Sequence, residues 1–178
     1  MPDPVLHTER VTLRPLTAAL ASSLLDQPSR HGQHADGFPS PDDEQLLRGV
    51  VASGPDARGS FLLERGSTPI GTAGAAGGLS PDGDQELGYG LVPAARGQGL
   101  ATEAVGALCS YLERGEGVRR LIAEVLPGNE SSLRLLRRLG FVAVTGGSAD
   151  HQLMARGAPG HPQSVPALPG RIVGRHVC

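Results

Sequence analysis

The chain has 178 residues, a formal net charge of -2 and 3% aromatic residues with no tryptophan. That length holds one domain with its own core, which must be aliphatic, built from Leu, Val, Ala and Ile. The near-neutral charge excludes an electrostatic footprint for nucleic acid or an anionic membrane surface.

All 16 basic residues are arginine, as expected of a composition rich in Arg, Ala, Gly and Pro, and the N-terminus is the chain's only aliphatic amine. Cys109 and Cys178 provide no disulfide framework; Cys109 falls in a helical pattern and reads as a small core residue. The opening residues MPDPVLHTER lack a charged-then-apolar leader pattern. No apolar run reaches the roughly 18 residues of a membrane span, so a soluble, cytoplasmic protein is expected.

In chain order, residues 7–16 alternate Val11 and Leu13 against Thr12 and Arg14, predicting a first strand that stops at Pro15. A helix follows over 17–27 with Thr17 as N-cap. Residues 28–41, PSRHGQHADGFPSP, have few apolar anchors and read as a long mobile loop. PDDEQLLRGVVASG is a short helix, with acids in its first turn and Gly54 beyond its end. GSFLLER and TPIGTAGAAGG form a hairpin, and ELGYGLV, residues 86–92, is a further strand. A helix over 100–112, a buried strand over 119–126, and a helix from Asn129 to Gly140 come next. FVAV and DHQLMAR close the sheet as a hairpin.

The expected fold class is mixed α/β. It is a mostly antiparallel sheet flanked by helices, with one parallel crossover through the 97–114 helix. Residues 1–156 are the domain. Residues 157–178 are a Pro/Gly-punctuated tail outside its core, whose removal from position 158 should leave folding intact.

The most informative stretch is RGQGLAT, Arg96 to Thr102, between a strand and a helix. Backbone N–H groups at a helix start lack intrahelical acceptors, and small residues let an anion approach them closely. No Gly-Lys-Ser/Thr follows, and the dinucleotide spacing of three glycines is missing, so neither nucleotide loop applies. By themselves the glycines also fit a tight turn that packs a helix closely.

Arg96-Gly97-Gln98-Gly99-Leu100-Ala101 resembles the Arg/Gln-x-x-Gly-x-Gly/Ala signature of the GNAT (Gcn5-related N-acetyltransferase) superfamily. With LGYGLVPAARGQGLATEAV, NESSLRLLRRLGF and RVTLRPL in order over residues 8–156, the chain is similar to the RimJ/RimL-type branch. The resemblance implies that fold, with the sheet splayed at the cofactor site, and acetyl-CoA as donor. It makes Arg96, Gly97, Gln98, Gly99, Leu100, Ala101 and Thr102 cofactor-binding residues, with the diphosphate cradled by the N–H groups of Gln98 to Thr102. The pantetheine arm would lie along Leu91 and Val92, where Pro93 ends the strand and opens a wedge. Asn129 matches the family asparagine that contacts this arm, and it also reads as a plain N-cap.

Acetyl transfer needs a neutral amine, and a carboxylate can take its proton. Glu86 matches the branch's glutamate before Gly-Tyr, a general base by resemblance; it also fits a solvated strand end. Ser132 matches a serine whose hydroxyl could bond the coenzyme A sulfur, or it is simply a first-turn helix residue. Leu136 stands where many members carry a tyrosine acid. Tyr89 could polarise the thioester, although packing explains it better. Arg134, Arg137 and Arg138 share a helical face that reads as solvated. His31 and His34 have no third ligand on their element, so no metal is expected.

Acidic residues Asp36, Asp42, Asp43, Glu44, Asp82 and Asp84 would favour a cationic acceptor amine: a protein N-terminus, a polyamine, an aminoglycoside-like amine or an amino acid. The branch contains both protein N-terminal and small-molecule acetyltransferases, and homodimers are frequent in the superfamily. Two alternatives stand beside the N-acetyltransferase reading: a weakly catalytic acyl-CoA-binding or sensing module, and a transferase of another acyl group such as succinyl.

Overall fold

The computed structural model describes residues 3–26, 34–54, 59–146 and 150–160. His31, Cys178 and tail residues 161–178 lie outside the described residues. In chain order the elements are β1 (Leu6–His7), β2 (Thr12–Pro15), α1 (Ala18–Asp26), α2 (Pro41–Ser53), β3 (Ser60–Arg65), β4 (Thr68–Ala76) and β5 (Asp84–Leu91). They continue through a short 3-10 turn (Pro93–Ala95), α3 (Leu100–Leu112), β6 (Arg120–Val125), α4 (Glu130–Arg138), β7 (Val142–Val144) and β8 (Gln152–Gly157). Strand order is β1-β2-β3-β4-β5-β6-β8-β7, and β5 with β6 is the parallel pair. The mixed, mostly antiparallel α/β sheet expected from the sequence is therefore observed. The chain forms two compact units, Met1–Gly74 with Tyr89–Leu108 and Ala75–Gly88 with Cys109–Cys178.

In the first unit, the single strand expected over residues 7–16 is two strands folded on each other. The Thr8 N–H donates to Val11 O at 3.0 Å and its hydroxyl oxygen accepts from Val11 N–H at 3.0 Å, so a side-chain-closed turn interrupts the alternation. Leu13 of β2 is fully buried, and β2 pairs antiparallel with β3. Thr17 caps α1, its hydroxyl accepting from Leu20 N–H at 3.2 Å.

Ser40 and Asp43 form a capping box that starts α2. Asp43 is 0% exposed, and its second oxygen accepts from the Thr72 hydroxyl at 2.8 Å, fastening α2 to β4. Strands β4 and β5 touch where neither has a side chain. A Cβ on Gly71 would lie 2.1 Å from Gly90 O, so this crossing excludes any larger residue at position 71.

In the second unit, β6 pairs with β8 along its whole length, from Arg120↔Gly157 to Val125↔Gln152. Ala158 continues this order: it is buried, and its N–H donates to Arg119 O at 2.9 Å. Arg156 of β8 reaches Glu113, at the end of α3, at 2.8 Å and Leu139 O, after α4, at 2.8 Å. Cys109 is buried in α3, and burial pushes its thiol up to about 12.

The ion pair of Asp84 with Arg120 closes the parallel ladder at its first rung, with the Asp84 side chain 2% exposed. Removing one partner of a buried pair leaves an uncompensated charge and costs about 3–5 kcal/mol. Arg120→Met should therefore lower the unfolding free energy by that order, with a clearly lower urea midpoint, whereas Arg48→Met, which breaks an exposed i,i+4 pair, should change the midpoint little. Equal midpoints for the two variants would contradict this role for the buried pair.

Candidate active site

Within the first unit, β5 ends at Leu91, and the Pro93–Ala95 turn carries the chain toward α3. Leu91, Val92 and Leu100 are buried, so their side chains belong to the core, and only their backbone can face a ligand. Val92 N–H donates to Ile70 O at 2.9 Å, and Arg96 Nε donates to Leu91 O at 2.7 Å. The Arg96 side chain thus folds back to steady the strand end.

Gly97, Gln98 and Gly99 are exposed, with φ of +72° at Gly97 and +79° at Gly99. Side-chain-bearing residues rarely adopt that region, so the turn requires glycine at both positions. The first helical bond of α3 runs from Glu103 N–H to Gly99 O at 3.1 Å. The N–H groups of Gly99, Leu100, Ala101 and Thr102 consequently have no acceptor within the helix, and the helix dipole reinforces them. No neighbour stands within 4 Å of a Cβ built on Gly97, so the outer side of the loop is open. A narrow row of N–H donors beside open space fits a diphosphate.

A network that local sequence patterns do not reveal holds this loop. Glu103, in the first turn of α3, accepts from Arg10 N–H at 2.6 Å, Arg10 Nε at 2.9 Å and the Thr8 hydroxyl at 2.5 Å. The Thr8 hydrogen bond first, and then those of Arg10, hold the Glu103 carboxyl below the usual carboxylate range against the opposing effect of burial. Arg10 Nη1 donates to Gln98 O at 2.9 Å, and Arg65 Nη1 donates to Gln98 Oε1 at 3.0 Å. The partners are up to 95 residues apart in sequence.

Within the second unit, Glu86 is 6% exposed and forms the third rung of the parallel ladder, Glu86↔Ile122. Glu124, two residues beyond Ile122 on β6, is also 6% exposed, and its Oε1 is buried without a hydrogen-bond partner. Strand alternation puts Ile122 and Glu124 on one face, and rung partners share a face, so Glu86 and Glu124 face the same side. The sequence signal for Glu124 is a lone acid inside the apolar run RRLIAEVL. Asn129 caps α4, its Oδ1 accepting from Ser132 N–H at 3.1 Å and the Ser131 hydroxyl at 2.8 Å. Ser132 is buried, and Leu136 is wholly core. Arg134, Arg137 and Arg138 are exposed, the last two at the helix end where cations oppose the dipole's negative pole.

Of the six acids expected to favour a cation, the structure commits three to internal partners. Asp43 serves the capping box, Glu44 meets Arg48 at 3.3 Å and Asp84 pairs with Arg120. Asp36, Asp42 and Asp82 are exposed. Tyr89 is half-buried on the face of β5 opposite Gly90. The His34 ring lies 6.3 Å from that of Phe38. Among the described residues, no group of three or more His, Cys, Asp or Glu is arranged to hold a metal ion, and no helix is long and apolar enough to cross a membrane.

The family model for the acetyltransferase (GNAT) domain matches residues 10–142. An uncharacterized N-acetyltransferase, p20, of Bacillus licheniformis is 30% identical over 76% of this chain and 81% of its own. The [ribosomal protein uS5]-alanine N-acetyltransferase of Escherichia coli is 34% identical over 41% of this chain and 42% of its own. Mycobacterium smegmatis RimJ, solved in complex with CoA-disulfide, superposes with a TM-score of 0.63 at 23% identity, covering 92% of this chain and 91% of RimJ. The chain belongs to the GNAT acetyltransferase family, with RimJ and RimL among its structural neighbours. It is an N-acetyltransferase that uses acetyl-CoA.

If residues 97–102 grip the diphosphate, a methyl group at position 97 should obstruct the ligand without striking the protein. Gly97→Ala should stay folded, at a cost of roughly 1–2 kcal/mol for the strained backbone, and bind coenzyme A at least tenfold more weakly by calorimetry. Undiminished affinity would remove the loop from the site.

Proposed function

We propose that the protein transfers the acetyl group of acetyl-CoA directly to a primary amine in the cytoplasm, with Glu86 as general base. The acceptor is a protein N-terminus or a small cationic amine. The observation that carries this reading is the buried Glu86 carboxylate at the last β5–β6 rung, with Glu124 on the same face.

Acetyl-CoA supplies an activated thioester carbonyl and a weakly basic thiolate leaving group. The N–H groups of residues 99–102 bind the diphosphate in this reading, and Gly97 leaves it room. Leu91 and Val92 supply backbone along the pantetheine arm. Val92 N–H is already committed to Ile70 O, so the arm draws on the remaining backbone groups of that segment. Asn129 combines its capping role with a contact to the arm.

An alkyl amine arrives as an ammonium ion. Two carboxylates on one sheet face attract it, and burial raises the value of each charge–charge contact by lowering the local dielectric. Glu86 takes the proton, leaving the nitrogen lone pair free to attack the carbonyl. Glu124 holds the cation on arrival. The Ser132 hydroxyl donates a hydrogen bond toward the departing sulfur. With Leu136 in the tyrosine position, no stronger acid stands there, and a thiolate does not require one.

The exposed Asp36, Asp42 and Asp82 support a cationic acceptor. The uS5-alanine acetyltransferase relative supports a protein N-terminus, although its match spans less than half of either chain.

Thiol release from acetyl-CoA, measured with a panel of N-terminal peptides, polyamines, aminoglycosides and amino acids, tests the reading. Glu86→Gln should lower kcat about 10²–10⁴-fold, the usual contribution of a positioned base. Glu124→Gln should act chiefly on the KM of the amine. Coenzyme A binding without turnover on any amine, unaffected by Glu86→Gln, would instead identify a sensing module.

A further inference from the structure

We propose that Arg10 is a positioning residue for coenzyme A: tethered by Glu103, it locks the Gln98–Gly99 peptide so that the Gly99 N–H faces the diphosphate. The inference rests on reading residues 97–102 as the diphosphate cradle.

The peptide between Gln98 and Gly99 is flanked by two glycines with φ of +72° and +79°. Glycine visits positive and negative φ with similar ease, so such a unit can flip over at little cost. A flip would exchange an N–H for a carbonyl on the ligand side and turn a donor for phosphate into a repelling dipole. Arg10 removes that freedom. Its Nη1 donates to Gln98 O at 2.9 Å, fixing where the carbonyl points. Among the described residues the only cis bond is Phe38–Pro39, so this peptide is trans and planar. The Gly99 N–H must then point away from Arg10.

The guanidinium is itself immobilised. Its Nε and Nη2 meet Glu103 Oε2 at 2.9 and 2.8 Å, while the Arg10 backbone N–H donates to the other oxygen at 2.6 Å. A planar, forked donor can serve a carboxylate and a carbonyl together, which a lysine ammonium does with less geometric control. Glu103 belongs to the first turn of α3, so the clamp joins both sides of the peptide it restrains. On the side chain of the same residue, Arg65 donates to Gln98 Oε1 at 3.0 Å, and Gln98 Nε2 donates to Ala94 O at 2.9 Å.

Apparent affinity scales with the fraction of molecules that hold the binding-competent arrangement. Arg10→Met should therefore weaken coenzyme A about tenfold by calorimetry, as expected if that fraction falls to roughly a tenth. Arg10→Lys should fall between wild type and Arg10→Met. The deficit should persist at 0.5 M NaCl, where a loss of simple charge attraction would shrink. It should appear in kcat/KM for acetyl-CoA and vanish for acetyl-pantetheine, which has no diphosphate.

Arg10→Met with coenzyme A affinity within twofold of wild type would overturn the proposal, as would an equal deficit with acetyl-pantetheine. Should Arg10→Met not fold, Glu103→Gln is decisive: it must weaken coenzyme A while leaving acetyl-pantetheine untouched. Failure of the cradle reading has a different signature, since Gly97→Ala would then bind coenzyme A normally.

Discussion

Every α-helix begins with N–H groups that no helical carbonyl can reach, and here the start of α3 is kept open to the outside. The first bond that α3 makes is from Glu103 to Gly99, which leaves the N–H groups of residues 99–102 without a helical acceptor. Most of what surrounds that point serves to keep the four donors aligned. Glycines at 97 and 99 permit the turn, Arg96 steadies the strand end, and Arg10 and Arg65 hold Gln98 from its backbone and side chain. Glu103 anchors Arg10 and also places a negative charge in the first turn, where the helix dipole favours one.

The chemistry of transfer requires a different environment, one in which carboxylates are shielded from water and held on a rigid strand. In the proposed mechanism, strands β5 and β6 of the second unit supply it, with Glu86 and Glu124 on one face and the Asp84–Arg120 pair at the opening rung. A free buried carboxylate is costly, so a protein retains one where a cation offsets the cost during function. Glu124 Oε1 is buried without a hydrogen-bond partner. In the proposed mechanism the amine arrives as a cation of the kind that would satisfy it.

Local patterns carried much of this in advance. The glycine turn, the Thr17 and Asn129 caps, the parallel crossover and the closing hairpin all follow from periodicity and cap chemistry over a few residues. What those patterns missed depended on distance in sequence. The Thr8 side-chain turn split a strand that alternation alone predicts as continuous. Asp43 looked like one of several solvent-facing acids, yet its bond to Thr72, 29 residues away, makes it part of the core. Arg10 and Glu103 are 93 residues apart, and no window of sequence joins them.

The central claim is that the backbone donors of residues 99–102 grip the diphosphate of coenzyme A. Amide hydrogen exchange with and without coenzyme A tests it most directly. Protection of those amides, with little change at the exposed face of α4, is the predicted result. Binding of coenzyme A that leaves their exchange unchanged would contradict the account.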